Sequence, residues 1–376
     1  MMSNKIKPIA IYLPQFHPIP ENDQWWGKGF TEWINVVKAK PRFEGHYQPH
    51  LPADLGFYDL RLEEIRIAQA ELAKEYGIYG FCYYHYWFNG KRILERPFQE
   101  VFESKKPDFP FMLCWANENW TRVWDGGENG VLLKQEYSEE DDLVHIQHLI
   151  PYFKDARYIK VGDKPVFIFY KPDLFPDMKK TLEIFRTEAR KEGLELYLCR
   201  FERWNGSAGE GVNEVGFDAA IEFQPLSVSL KKYFDLKKKK SISHSRPTYL
   251  NQMISKITSR INHNSSNVNS KDDIVNYKDF IDFDLIQTKT SYKCFPCVCP
   301  MWDNSSRRTK ESAIIFDKST PNYFKHWYAS KCKNFEPYSD DENFIFINAW
   351  NEWAEGNHLE PDQKWGRKYL EALKDD

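Results

Sequence analysis

The sequence has no run of 18 consecutive apolar residues, so nothing in it predicts a membrane-spanning helix. It has no excess of either charge: 52 Lys and Arg stand against 55 Asp and Glu, a net charge of −3. That excludes the basic footprint of a nucleic-acid binder and leaves polar, near-neutral partners such as sugars open. The opening MMSNKIKPIAIYLPQFHP has too short an apolar part for a secretory signal and continues with Pro and His where a small-residue cleavage site would stand. A cytoplasmic location is therefore expected. Cysteine is scarce and odd in number, seven in all, and Cys82, Cys114 and Cys199 lie inside apolar runs. They read as buried thiols, not as a disulfide framework. CFPCVC places Cys294, Cys297 and Cys299 together, but no second ligand pair follows at zinc spacing, so a strand core is the better reading. No metal and no cofactor are expected. A Gly-rich phosphate loop is also missing after the first apolar run, which weighs against a doubly wound nucleotide-binding sheet, the alternative architecture.

What the chain does have is a regular alternation. Eight apolar runs of strand length occur at 8–14, 79–88, 109–120, 164–172, 194–204, 217–225, 292–303 and 343–353. Near-continuous apolarity suits parallel strands covered on both faces. Amphipathic stretches between them predict helices over 59–77, 138–155, 173–193, 319–333 and 363–376; Gly77 and Gly193 are stop signals, and Ser138 with its following acids is a start signal. The alternation predicts a single-domain (β/α)8 TIM barrel over 1–376. Residues 205–216 carry no helical pattern, so the fifth-to-sixth crossover is expected to be irregular. Residues 231–272 are polar and Lys-rich with little to bury, and read as a flexible insertion; a solvated loop is preferred there to a nucleic-acid or membrane role. The long loop over 15–57 is too aromatic to be disordered.

In a barrel of this type, chemistry collects at the C-terminal ends of the strands. Trp, Tyr, amides and carboxylates cluster there. The candidates for substrate contact are Tyr12, Gln15 and His17 after the first run, Trp26 and Trp33 in the long loop, and Tyr84, His85 and Trp87 after the second. Trp115, Asn117, Glu118 and Trp120 follow the third, Glu222 the sixth, Trp302 the seventh, and Asn351 and Trp353 the eighth. Rings that stack on the C–H faces of sugars, next to groups that fix hydroxyls, are what a carbohydrate pocket needs. The stretch INAWNEWAEGNHLEPD over 347–362 supplies the chemistry. Glycosidic cleavage needs two carboxyl groups. Glu352 and Glu355 would point to opposite faces of a continuing strand, but a turn through Ala354 to Gly356 lets both face one pocket. Crowding would then raise one carboxyl's proton affinity. A helix cap or a loop salt bridge is the alternative for either residue.

The segments IAIYLPQFHPIPENDQWWGKGFTEW, GFCYYHYWF, LCWANENWTRVWDG and AWNEWAEGNHLEPD span most of the chain. They resemble glycoside hydrolase family 99, and in particular its WbsX-type branch, which is associated with bacterial polysaccharide biosynthesis. The resemblance implies a (β/α)8 barrel, retaining endo-cleavage of α-mannosides and no metal. It implies Glu355 as general acid/base and Glu352 as the base that engages the sugar's own 2-hydroxyl, giving an anhydro-sugar intermediate. Ala354 departs from the family 99 pattern, which has His there, so the sugar specificity is not expected to transfer. The branch is also labelled glycosyltransferase. Hydrolysis or transglycosylation of a polysaccharide or its precursor is thus the leading expectation. A nucleotide-sugar transferase is the alternative, with Asp282 and Asp284 as an Asp-x-Asp pair, and a non-catalytic carbohydrate-binding protein is the third reading.

Overall fold

The computed structural model describes residues 6–121, 130–204, 212–244, 272–308 and 312–374. The apolar runs form parallel strands: β1 (Lys7–Tyr12), β2 (Gly80–Phe88), β3 (Phe111–Trp115), β4 (Lys164–Phe169), β5 (Tyr197–Glu202), β6 (Ala219–Glu222), β7 and β8 (Phe344–Ile347). β7 comes in two pieces, Cys294–Phe295 and Cys297–Val298. The first piece pairs with β6 and the second with β8. Pro296, between them, has no N–H to give to a ladder, but its carbonyl accepts the Phe346 N–H at 2.8 Å. Counting the two pieces as one crossing, neighbours run in the order β1 to β8, and β8 returns to β1 in parallel register. This is a (β/α)8 barrel. Every residue of β2, β3 and β5 is buried, which is why these strands read as unbroken apolar runs and not as an alternation.

Helices α1 (Pro20–Trp26) and α2 (Trp33–Lys38) lie in the long loop after β1. The crossovers carry α3 (Glu63–Glu75), α4 (Arg96–Ser104), α5 (Glu139–Phe153), α6 (Met178–Lys191), α7 (Val212–Val215), α8 (Val228–His244), α9 (Tyr277–Leu285) and α10 (Pro321–Asn334). Ser138 caps α5 by accepting the Asp141 N–H, and four acids occupy the first turn beside the positive end of the helix dipole. Asp177 and Thr320 cap α6 and α10 in the same way.

Three expectations change. Residues 231–244, expected in a flexible insertion, belong to α8, whose Tyr233 packs edge-on against Phe280 and Phe283 of α9. Apolar residues spaced among the lysines thus find a partner helix; residues 245–271 lie outside the described residues. The helix expected over 363–376 is one turn, Lys368–Glu371. In the fifth-to-sixth crossover the described residues form only the single turn α7, with 205–211 outside them.

Candidate active site

The chain leaves β8 at Ile347 and builds a compact turn. Asn351–Glu352 pairs antiparallel with Asn357–His358 around the 3-10 turn Trp353–Glu355. Gly356 closes it at φ +54°, and a Cβ there would sit 3.0 Å from Asp303 Cβ. A larger residue is therefore strained by the backbone conformation and tight against the end of β7. Asn351 ties the turn to the end of β1: its Oδ1 accepts the Leu13 N–H at 2.7 Å and its Nδ2 donates to the Leu13 carbonyl at 3.0 Å. Trp353 points into the core, stacking on His358 with ring centroids 3.7 Å apart and donating Nε1–H to Glu360 at 2.7 Å. Sending Trp353 inward leaves Glu352 and Glu355 both on the wall of one cavity.

That cavity has a volume of about 430 Å³ and opens at the C-terminal ends of the strands. Tyr84, Tyr86, Trp120, Tyr170, Trp204 and Trp302 supply rings, and Gln15, Glu118, Arg200, Glu202 and Arg203 supply polar groups. The two glutamates meet one guanidinium. Arg307 Nη1 lies 2.8 Å from Glu355 Oε1, and Nη2 lies 3.2 Å from Glu352 Oε2 and 3.0 Å from Glu32 Oε2. Two buried carboxyl groups, Glu32 and Glu352, and the partly exposed Glu355 thus face one cation. Burial raises the pKa of Glu352; the neighbouring Glu355 and Glu32 charges raise it further, and Arg307 opposes them. Burial likewise raises Glu355, again against Arg307. The cluster is built to hold a proton at neutral pH. Arg203 lies over the rings of Tyr170 and Phe223, 4.3 and 5.1 Å from their centroids, and its buried Nη1 makes no hydrogen bond.

Of the residues singled out from sequence, Glu352, Glu355, Gln15, Tyr84, Glu118, Trp120 and Trp302 line this cavity. Glu118 is ion-paired there with Lys171. The others lie elsewhere, each for a visible reason. Tyr12 faces the layer between barrel and helices and donates to Gln69 Oε1 at 2.6 Å. His17 is buried within the loop after β1, and Trp26 ends α1 against Phe30. Trp33 donates to the Tyr58 carbonyl and packs on Trp353. His85 meets His145 at 2.9 Å, Trp87 donates to Asp141, and Trp115 donates to the Trp87 carbonyl. Asn117 clamps the Lys171 backbone in both directions. Glu222 pairs with Lys331 at 2.8 Å. Asn351 and Trp353 hold the turn and do not face the cavity. Asp282 and Asp284 sit on opposite sides of α9: Asp282 is exposed with Lys278, while Asp284 is buried and bound to Trp327 and Lys331.

Sequence reasoning did not single out Arg307, Glu32, Arg203 or Tyr170, and it placed Tyr86 at the end of the second strand without naming it a contact residue. The one signal for Arg307 was indirect, since clustered carboxylates need a cation and NSSRR follows the seventh run directly.

Barrel, ring-lined cavity and paired carboxyl groups define the class: a (β/α)8 barrel with a carboxylate-centred cleft at the strand ends. The chain belongs to the family described as Glycosyltransferase WbsX, whose profile matches residues 8–373. It is 39% identical over 368 residues to the protein called Uncharacterized protein WxcX in two strains of Xanthomonas campestris pv. campestris, covering 97% of this chain. The chain spans about half, 49%, of the length of those relatives. Among solved structures it is similar to a glycoside hydrolase-like protein, at 12% identity with a TM-score of 0.56, covering 100% of this chain and 94% of the other. It is similar to the family 99 endo-α-mannosidase of Bacteroides thetaiotaomicron at 11% identity and a TM-score of 0.56, covering 99% of this chain and 96% of that one. The same enzyme in complex with bis-tris propane matches at 11% identity and the same TM-score, over 96% and 88%. At these identities the likeness is one of fold.

Proposed function

We propose that this chain cleaves or transfers glycosyl groups of a bacterial polysaccharide or its precursor with retention of configuration. The observation that carries the reading is the placement of Glu352 and Glu355 on one cavity wall, joined through Arg307 and faced by rings. In the first step Glu355 gives its proton to the glycosidic oxygen. Glu352 takes the proton of the sugar's 2-hydroxyl as that oxygen attacks C1, and the leaving alcohol departs from a 1,2-anhydro sugar. In the second step Glu355 takes a proton from water or an acceptor hydroxyl, whose oxygen opens the anhydro ring at C1, while Glu352 returns its proton to O2. Two inversions give retention, and both carboxyl groups end as they began. The resting chain holds Arg307 nearer to Glu355 than to Glu352. Movement of the guanidinium toward Glu32 and Glu352 on substrate binding would leave the proton on Glu355, where the first step uses it. The sugar's 2-hydroxyl must lie trans to the leaving group for this step, as it does in an α-mannoside.

The family's description favours a transferase. Opening of the anhydro sugar by a second sugar's hydroxyl makes a transglycosylase from the same residues. A nucleotide-sugar mechanism finds less support, because Asp282 and Asp284 do not share a face. The discriminating experiment incubates the protein with fragments of bacterial surface polysaccharides, with and without nucleotide sugars, and reads products by mass. New reducing ends or transfer products without nucleotide are expected. Products that require a nucleotide sugar and release the nucleotide would overturn the reading in favour of the transferase, and binding without any product would leave a carbohydrate-binding protein.

A further inference from the structure

Independently of that chemistry, we propose that His50, His358 and Asp362 form a site for a divalent cation of the zinc class, which ties the loop after β1 to the Glu352–Glu355 turn. None of the three lines the cavity. All are buried, with exposures of 4%, 1% and 2%, and their donor atoms lie within 4.8 Å of one another.

The hydrogen bonds around the rings make the case. His50 Nε2 lies 3.0 Å from the Tyr47 carbonyl, and His358 Nδ1 lies 2.9 Å from the Glu360 carbonyl. A carbonyl oxygen only accepts, so those two nitrogens carry the protons. The other two, His50 Nδ1 and His358 Nε2, then present bare lone pairs to each other at 3.1 Å. Moving either proton inward relieves that repulsion only by turning a lone pair toward a carbonyl. A second buried pair behaves differently: His85 and His145 meet through their Nε2 atoms at 2.9 Å, but His145 Nδ1 makes no hydrogen bond. One proton between those rings satisfies both.

Asp362 completes the set. Its Oδ2 is 3.9 Å from His358 Nε2 and makes no well-aligned hydrogen bond, the Tyr47 hydroxyl being the one side-chain donor close to the carboxyl among the described residues. A buried carboxylate oxygen without a well-aligned donor and two lone pairs facing one point describe the donors of a cation. Backbone carbonyls that fix the outer nitrogens are what commonly orients histidine ligands. Two nitrogens and one oxygen suit Zn²⁺ better than Mg²⁺ or Ca²⁺, which take oxygen ligands.

Such an ion would add to existing ties between the same two segments. His46 Nε2 and Gln48 Nε2 already hold Asp303 Oδ2, each at 2.6 Å, and the Asp303 N–H donates to the Glu355 carbonyl at 2.7 Å. On the other side His358 carries the stacked ring of Trp353.

The test titrates the EDTA-treated full chain with Zn²⁺ alone, and then with Co²⁺ as a visible reporter. Binding of roughly one equivalent is expected, with a rise in the thermal midpoint of at least about 3 °C that EDTA reverses. Co²⁺ should give the visible absorption of nitrogen and oxygen ligation. His50→Gln and Asp362→Asn, the latter keeping the oxygen that accepts the Trp365 N–H, should each bind at least roughly tenfold more weakly. If a variant does not fold, the Zn²⁺ titration and Co²⁺ spectrum of the wild-type chain decide alone. A wild-type chain whose midpoint neither Zn²⁺ nor EDTA moves, or folded variants that bind Zn²⁺ as the wild type does, would overturn the site.

Discussion

Replacing Arg307 by Gln removes the cation that, among the described residues, directly contacts Glu32, Glu352 and Glu355. Its side chain is 5% exposed and theirs are 1%, 7% and 21%, so solvent screens the contacts little. Removing one partner from a buried charge cluster costs about 3–5 kcal/mol. The cost should depend on pH, and its sign follows from the carboxyl groups. Glu352 and Glu355 already have pKa values above those of the unfolded chain, and Arg307 is what restrains them. Without it they rise further. A carboxyl group whose folded pKa is raised favours folding below the unfolded value, and that contribution is lost as pH rises through the folded value. Urea unfolding followed by tryptophan fluorescence at pH 5 and pH 8 should therefore show the larger loss at pH 8. At pH 5, where the raised Glu352 and Glu355 carry their protons, the loss should shrink toward that of the hydrogen bonds, about 1–2 kcal/mol. Arg307→Lys, which keeps the charge but cannot reach three carboxyl groups from one plane, should fall between. Equal losses at the two pH values, or none, would refute the shared-cation argument.

Three further outcomes follow from the same geometry. Turnover should decline on the alkaline side, as the raised carboxyl pair loses the proton that the first step transfers; a rate that stays flat well above neutral pH would argue against acid catalysis by this pair. Asn351→Ala strips both hydrogen bonds from the buried Leu13 backbone and should lower stability by about 2–3 kcal/mol in urea unfolding, with kcat falling as the turn loosens. Arg203→Met keeps apolar contact with Tyr170 and Phe223 but removes the cavity's buried unbonded Nη1, so KM for an active glycan should rise roughly tenfold with a smaller change in kcat. An unchanged KM would show that the glycan does not reach that wall.

The barrel was legible because its strands are covered on both faces, so that runs such as GFCYYHYWF have no polar alternation to obscure them. The break at Pro296 was visible as a residue, but only the pairing partners show that it passes the ladder from β6 to β8. The site was legible in outline and not in detail. A ring beside a carboxylate at a strand end signals a special region without saying which way the ring points. Neighbouring positions alternate, so Tyr84 and Tyr86 face the cavity while His85 and Trp87 turn outward onto α5. Trp353 was read as a contact residue, yet its inward packing is what frees Glu352 and Glu355 to face the cavity. Arg307 could not be picked out because NSSRRTK has the composition of a solvated loop; its burial follows from Glu32 and Glu352, brought in from 275 and 45 residues away in sequence, together with Glu355. Asp282 and Asp284 show the converse, a motif in letters that the helix period separates.

The most direct measurement is the initial rate of glycan cleavage or transfer by Glu352→Gln and Glu355→Gln beside the wild-type chain, on one substrate and with folding checked by circular dichroism. The account predicts a loss of at least roughly a hundredfold in each. A folded variant of either kind that turns over at the wild-type rate would contradict it.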